Sequence, residues 1–170
     1  MLESGRDAVG ETSQLLEDLL LWANSQRKRI EFSFQTQDLC KLINRMQGTY
    51  GSLLEQKKLS LEVIGPETAY CHFDFNSIKT VLRNLMGNAI KFSHPGGRII
   101  LQTIIEQSFT EVRVIDFGVG LSKADADKLF DATENISTFG TSGEKGSGLG
   151  LLLCKEMIDN NQGAIGVEST

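Results

Sequence analysis

The chain has 170 residues, of which 40% are hydrophobic, so it can bury the core of one globular domain. Its net charge is −5, and its basic residues form no cluster beyond residues 27–29, which argues against a nucleic-acid partner. No apolar run approaches the ~18 residues of a membrane span, and the N-terminus has no signal-peptide pattern. We therefore expect no membrane contact by this segment.

The first predicted element is an amphipathic helix over residues 11–29. Its apolar face contains Leu15, Leu16, Leu19, Leu20, Trp22 and Ala23. An ordinary core helix has the same pattern. We favour a helix that pairs in a hairpin or dimer, because the segment precedes the alternating helices and strands and its leucines need a partner.

The remaining elements alternate between helix and strand. The pattern predicts extended chain over 29–35, helices over 37–57, 74–92, 122–130 and 148–160, and strands over 59–64, 69–72, 98–106, 110–115 and 164–168. Asp74 is the expected N-cap of the helix over 74–92. Residues 131–147 are polar and glycine-punctuated, and a loop of that length in a compact domain is usually functional. This order predicts an α+β fold, a two-layer α/β sandwich preceded by an N-terminal helix.

Three cysteines, Cys40, Cys71 and Cys154, form no CxxC pair, and their odd number fits no closed disulfide framework. Reduced, partly buried thiols of this kind are typical of cytoplasmic proteins.

The helix over 74–92 has an apolar face and a narrow polar face. Its predicted buried stripe is Ile78, Val81, Leu82, Leu85 and Ala89. Asn84, Asn88 and Lys91 follow i, i+4, i+7 spacing, so they share a narrow face beside that stripe. The amide oxygen of Asn88 can ligate Mg²⁺ while Lys91 meets phosphate oxygens. A solvated polar face would show the same spacing.

A DxGxG pattern follows the predicted strand over 110–115. Asp116 stands where this strand ends, so its carboxylate can accept a hydrogen bond from an exocyclic amine, and Gly118 and Gly120 let the backbone approach a flat ring. A turn of type II or a bulge explains the same residues.

A GxGxG pattern, Gly146, Gly148 and Gly150, opens the last predicted helix. Each glycine in a helical turn costs about 1 kcal/mol relative to alanine, so bare backbone is expected to serve a purpose there. Backbone N–H groups at a helix N-terminus bind phosphates. The spacing is neither the dinucleotide GxGxxG nor the P-loop GxxxxGK[ST].

Together, these motifs resemble the sensor histidine kinases of two-component systems, within the Bergerat-fold (GHKL) ATPase superfamily. Residues 84–92 resemble their asparagine box, 116–120 their first glycine box, Phe130 their phenylalanine box and 146–151 their second glycine box. Residues 19–23 look like part of the second helix of the dimerisation and phosphotransfer hairpin.

The resemblance implies a Bergerat fold, with a mixed sheet of about five strands covered on one face by three helices. Residues 1–30 would be part of the hairpin, and 31–170 the ATP-binding catalytic domain without its last strand. The implied cofactors are ATP and Mg²⁺, with Asn84, Asn88 and Lys91 catalytic and Asn88 the metal ligand. The implied ATP-binding residues are Asn88, Lys91, Phe92, Asp116, Gly118, Gly120, Phe130, Thr141, Ser142, Gly146, Ser147, Gly148, Leu149 and Gly150. Asp116 would bind the adenine amino group, Phe92 would flank the ring, and the loop over 131–147 would be the ATP lid.

The implied reaction is transfer of the γ-phosphoryl group to a histidine. The ATPases of this superfamily resemble one another in having Glu where Asn84 stands, as the base that activates water. Because an amide has no useful basicity, Asn84 disfavours attack by water on ATP. His72 and His94 read as surface or structural residues, so the acceptor would come from another segment, and this chain by itself would not autophosphorylate. The implied partners are its own hairpin helix, a second copy in a homodimer of the full-length protein, and a response regulator or receiver domain. The implied location is the cytoplasm, either free or as the cytoplasmic part of a membrane-anchored sensor.

Two alternatives remain. A pseudokinase module would use nucleotide binding to regulate a partner, although the complete motif set speaks against degeneration. The second alternative is a nucleotide-binding protein of the anti-sigma or serine-kinase type. Proteins of that class lack the upstream leucine-rich helix, so the predicted helix over 11–29 argues against it.

Overall fold

A computed structural model describes residues 31–131, 140–141 and 148–169. The predicted helix over 11–29 and the hairpin assigned to residues 1–30 lie outside the described residues. So do Ser142, Gly146 and Ser147, together with most of the loop predicted over 131–147.

Helices and strands alternate as expected, and the α+β class is confirmed. The elements are β1 (Phe34–Asp38), α1 (Leu39–Gln56), β2 (Ser60–Ile64), β3 (Tyr70–Asp74), α2 (Phe75–Phe92), β4 (Arg98–Ile105), β5 (Thr110–Asp116), α3 (Lys123–Lys128) and α4 (Gly150–Asn160). Most predicted boundaries lie within two or three residues of these.

The strand predicted over 164–168 is wrong, because residues 163–169 have no regular secondary structure. A strand requires a hydrogen-bonded ladder with a neighbour, and an apolar alternation alone does not provide one. Gly163 and Gly166 also weaken strand propensity. The apolar side chain of Ile165 packs instead against the cluster around Leu153, and Ser169 Oγ accepts a hydrogen bond from the Leu121 N–H at 2.8 Å.

The described residues contain five strands, arranged in two ladders. β2 pairs in parallel with β4, and β4 pairs antiparallel with β5, which gives a mixed three-stranded sheet. β1 and β3 form a separate antiparallel pair. The sheet is therefore mixed, as expected, while the first and third strands pair only with each other.

The core lies between the mixed sheet and the first two helices. On β4, Ile99 and Leu101 are fully buried, and they pack with Ile43 of α1 and Met86 of α2. A second cluster joins α2 to α4 through Val81 and residues of α4. Within the predicted stripe of α2, Val81, Leu82 and Ala89 are buried and Ile78 and Leu85 are half-buried. Helix α2 thus packs on the sheet and also supports α4.

The start of α2 is fixed by a buried polar network. The Asp74 carboxylate accepts hydrogen bonds from the Ser77 N–H at 2.7 Å and the Ser33 N–H at 2.8 Å. Asn161, just after α4, accepts from the Asp74 N–H at 2.9 Å and donates to Ser77 Oγ at 2.8 Å. Burial by itself would raise the pKa of Asp74, but the hydrogen bonds from Ser33 and Ser77 outweigh it, and the pKa is lowered. The network confirms Asp74 as the N-cap and ties the start of α2 to the end of α4.

Within the described part of the chain, no helix combines the length and the apolar character that crossing a bilayer requires. Cys40, Cys71 and Cys154, all among the described residues, form no disulfide with one another.

Candidate functional site

Asn84 lies at the junction between α2 and the start of α4. A Cβ atom on Gly150 would stand 3.0 Å from the Asn84 Oδ1 atom, so the glycine makes room for this side chain. The Asn84 Nδ2 atom is buried and has no hydrogen-bond partner among the described residues. An unpaired buried donor costs about 1–3 kcal/mol, so native structures rarely keep one without a purpose. A ligand that accepts a hydrogen bond here would satisfy it.

The start of α4 is an α-helix N-terminus without a side-chain cap. Gly148 has φ of +72°, a conformation that favours glycine. Leu149 occupies the N-cap position, and its apolar side chain cannot accept a hydrogen bond from the first N–H groups of the helix. These groups carry the positive end of the helix dipole. The first turn of α4, beside Asn84, is therefore suited to a phosphate.

Asn88 and Lys91 continue the same face of α2 toward its C-terminus. The helix is unbroken over Phe75–Phe92, so the i, i+4, i+7 spacing of the two amides and the ammonium places them on one face. Asn88 and Lys91 are half-buried. The Lys91 Nζ atom stands 4.6 Å from the centroid of the Phe92 ring, within the range of a cation–π contact.

The loop after β5 lies directly against the end of α2. The Val119 N–H donates to the Phe92 carbonyl at 3.2 Å. The exposed Asp116 carboxylate accepts from the Gly118 N–H at 3.0 Å. A Cβ atom on Gly118 would stand 2.0 Å from the Phe92 carbonyl oxygen, so only glycine permits this approach. Gly120 has φ of +65°, a conformation that favours glycine. The structure thus brings Asp116 and Gly118 to Phe92.

Thr141 joins the predicted lid to the same helix end. Its N–H and its Oγ1 both lie 3.1 Å from the Lys91 carbonyl oxygen, and its Oγ1 lies 2.7 Å from the Ser93 carbonyl oxygen. Phe130 is half-buried in the turn that follows α3, and its part in the site stays a prediction.

One contributor to this region was not identified from the sequence. The Lys57 Nζ atom donates to the Ile90 and Lys91 carbonyls, at 2.8 Å each. Nothing in the spacing around Lys57, which ends α1, singles it out, because its partners lie 33 and 34 residues further along the chain. The contact depends on how α1 packs against α2.

A cleft lies at the opposite end of α2. It is lined by Phe34, His72, Asn161 and Gln162. Asn161 also binds the Asp74 cap, which marks the first turn of α2, whereas Asn88 and Lys91 stand near its last turn. The cleft is thus separate from the end of α2 that carries Asn88 and Lys91.

Comparisons with known proteins identify the family of this chain. Residues 73–170 match the family model described as histidine kinase-, DNA gyrase B-, and HSP90-like ATPase. Sensor protein SrrB of Staphylococcus aureus is 25% identical over 163 residues, which cover 96% of this chain and 28% of that protein. The chain thus spans about 28% of the length of this curated relative.

Solved structures show the same fold. Full-length ShkA in complex with AMPPNP aligns with a TM-score of 0.77 and 21% identity over 95% of this chain and 33% of that one. Histidine kinase ThkA in complex with the response regulator TrrA aligns with a TM-score of 0.68 and 20% identity over 89% of this chain and 43% of that one.

Proposed function

This chain belongs to the family of histidine kinase-, DNA gyrase B- and HSP90-like ATPases, and we propose that it is the ATP-binding catalytic domain of a two-component sensor histidine kinase. It would transfer the γ-phosphoryl group of Mg-ATP to a histidine on a dimerisation hairpin. The observation that carries this proposal is the Asn84 Nδ2 atom, which is buried without a hydrogen-bond partner among the described residues and belongs to the side chain for which Gly150, in the first turn of α4, makes room. A phosphate there would accept from the amide and from the helix N-terminus together.

Each residue of the site has a proposed role. Asn88 offers an amide oxygen to Mg²⁺, Lys91 contacts phosphate oxygens, and Asp116 accepts from the adenine amino group. Phe92 flanks the adenine ring. The other ATP-binding positions are Gly118, Gly120, Phe130, Thr141, Ser142, Gly146, Ser147, Gly148, Leu149 and Gly150.

The donor set fits magnesium bound through the nucleotide. Among the described residues, no group of three or more His, Cys, Asp or Glu side chains could hold a metal by itself. Mg²⁺ is usually held by few protein ligands together with substrate phosphates and water. Asn88 would supply one such ligand, and the ion would neutralise charge on the transferring phosphoryl group.

Asn84 favours a kinase over a hydrolase. Activation of water requires a general base, and a neutral amide has no useful basicity. Both histidines of the described chain are exposed: His72 stacks on Phe34 with ring centroids 6.2 Å apart, and His94 stands in the turn after α2. We therefore propose that the acceptor histidine belongs to another segment of the full-length protein.

The same reasoning extends to partners. We propose that residues 1–30 are part of the hairpin; the 163-residue similarity to Sensor protein SrrB reaches beyond residues 73–170 into this part of the chain. The solved complex of ThkA with TrrA supports a response regulator as the partner. Homodimerisation of the full-length protein and a cytoplasmic location are part of this proposal.

Isothermal titration with ATP, with and without Mg²⁺, tests the site. We expect magnesium-dependent binding that is weakened at least tenfold by Asn88→Ala and by Asp116→Ala, because each would remove a ligand contact worth about 1.4 kcal/mol or more. Asn44→Ala, on the exposed surface of α1, is the matched control. Magnesium-independent binding that both variants tolerate would refute the assignment.

Phosphotransfer is tested separately with a hairpin that carries the histidine and with γ-labelled ATP. We expect label on the hairpin and none on this chain. Confirmed ATP binding with an unlabelled hairpin would favour the pseudokinase alternative.

A further inference from the structure

The last turn of α2 depends on outside donors. An α-helix leaves its final carbonyl groups without partners within the helix. Two of these carbonyls, on Ile90 and Lys91, accept hydrogen bonds from the Lys57 ammonium at 2.8 Å each. A positive charge at a helix C-terminus also interacts favourably with the helix dipole. Lys57 is thus a charged cap on the helix that carries Asn88 and Lys91.

Lys57 is itself held by the fold. Its N–H donates to the Leu53 carbonyl at 3.2 Å, which ends α1, and its carbonyl accepts from the Gly96 N–H at 3.1 Å in the turn after α2. The residue is half-buried. Its backbone is thus held between the end of α1 and the turn after α2, next to the helix end that its side chain contacts.

The capped turn is also where the lid and the loop after β5 attach. The Lys91 carbonyl, one of the two acceptors of Lys57, receives the Thr141 N–H as well. The next carbonyl, on Phe92, receives the Val119 N–H. Any shift of this turn would move the attachment points of both loops together with the Lys91 side chain.

We propose that Lys57 is a positioning residue for the nucleotide site, which holds the last turn of α2 so that Lys91 and the Thr141 anchor of the lid face the phosphates. This inference rests on the proposed function. Lys57 would not touch the nucleotide; it would act through the backbone of Ile90 and Lys91.

The test compares Lys57→Met with Lys58→Met, using Lys57→Arg as the conservative rescue. Lys58 is the adjacent, exposed lysine, so its replacement makes the same change in charge and side chain. We expect Lys57→Met to weaken Mg-ATP binding about tenfold, Lys58→Met to stay within about twofold of wild type, and Lys57→Arg to recover most of the loss.

Hydrogen exchange of the Thr141 amide, measured without nucleotide, gives a second readout. We expect at least a fivefold faster exchange in Lys57→Met than in Lys58→Met, at a temperature where both variants remain folded. Equal ATP affinity in the two variants, or unchanged exchange at Thr141, would overturn the inference. If wild type and Lys58→Met both fail to bind Mg-ATP, the proposed function fails, whereas exchange at Thr141 still tests the contact.

Discussion

Replacing Gly118 with alanine tests the closest backbone approach in the site. The added Cβ would stand 2.0 Å from the Phe92 carbonyl oxygen and 2.6 Å from its carbonyl carbon. A carbon–oxygen contact normally needs about 3.3 Å, so the two backbones must separate by roughly 1.3 Å. Both groups that clash belong to the main chain, which means that no side-chain rotation can relieve the contact.

The expected cost follows from what this separation breaks. Overpacking against backbone costs about 1–3 kcal/mol. The hydrogen bonds from Val119 N–H to the Phe92 carbonyl and from Gly118 N–H to Asp116 are lost as well, at about 1 kcal/mol each. Reduced freedom of the unfolded chain returns about 0.4–1 kcal/mol. We expect Gly118→Ala to lower the free energy of unfolding by about 2–5 kcal/mol.

Urea denaturation measures this cost, and Gly87→Ala is the matched control. Gly87 is an exposed residue inside α2, and a Cβ there would meet nothing within 4 Å. Alanine is the better helix former, so Gly87→Ala should raise the free energy of unfolding by about 0.5–1 kcal/mol. The two identical chemical changes thus have opposite expected signs. A Gly118→Ala stability within about 0.5 kcal/mol of wild type would refute the packing of this loop on α2.

Two further substitutions separate function from stability. Gly150→Ala should change the free energy of unfolding by no more than about 1 kcal/mol, because the Asn84 side chain can shift and alanine favours the helix. Because the substitution displaces Asn84, it should still weaken Mg-ATP binding several-fold, as measured by titration calorimetry. An unchanged affinity would show that the orientation of Asn84 is unimportant for binding. For Asp74, the lowered pKa means that its contribution to stability is present above the unfolded-state pKa of about 3.9 and is lost as pH falls through the lower folded-state pKa. Asp74→Asn should therefore lower the free energy of unfolding by about 1 kcal/mol at pH 7, as measured by urea titration. Below pH ~4, the free energy of unfolding should fall less steeply with pH in this variant than in wild type. Equal acid sensitivity in both proteins would contradict this account.

Much of the fold could be predicted because its signals are local. The apolar periodicity of α2, its Asp74 cap and the break after Phe92 depend on residues within a few positions of one another. The same holds for the hairpin of β4 and β5, where Ile- and Val-rich segments flank a short turn. The strand predicted over 164–168 failed because strand formation depends on a partner rather than on the segment itself.

The site was predictable to the extent that its motifs lie on single elements. The spacing of Asn84, Asn88 and Lys91 is enough to predict that they share one helix face. The sequence predicted that glycines open the last helix, but it did not reveal that Gly150 makes room for Asn84. That contact joins residues on two helices, and no local pattern encodes the distance between them.

The sequence by itself determined the element order, the buried stripe of α2 and the motifs that indicate a nucleotide site, because helix periodicity, capping and glycine conformation act over a few residues. Only the tertiary structure shows that Lys57 caps the C-terminus of α2, that the backbone of Gly118 lies against the Phe92 carbonyl and that residues 163–169 form no strand. These outcomes depend on how separate elements pack. Packing sets distances between groups far apart in the chain, and hydrogen bonds form only where those distances allow them.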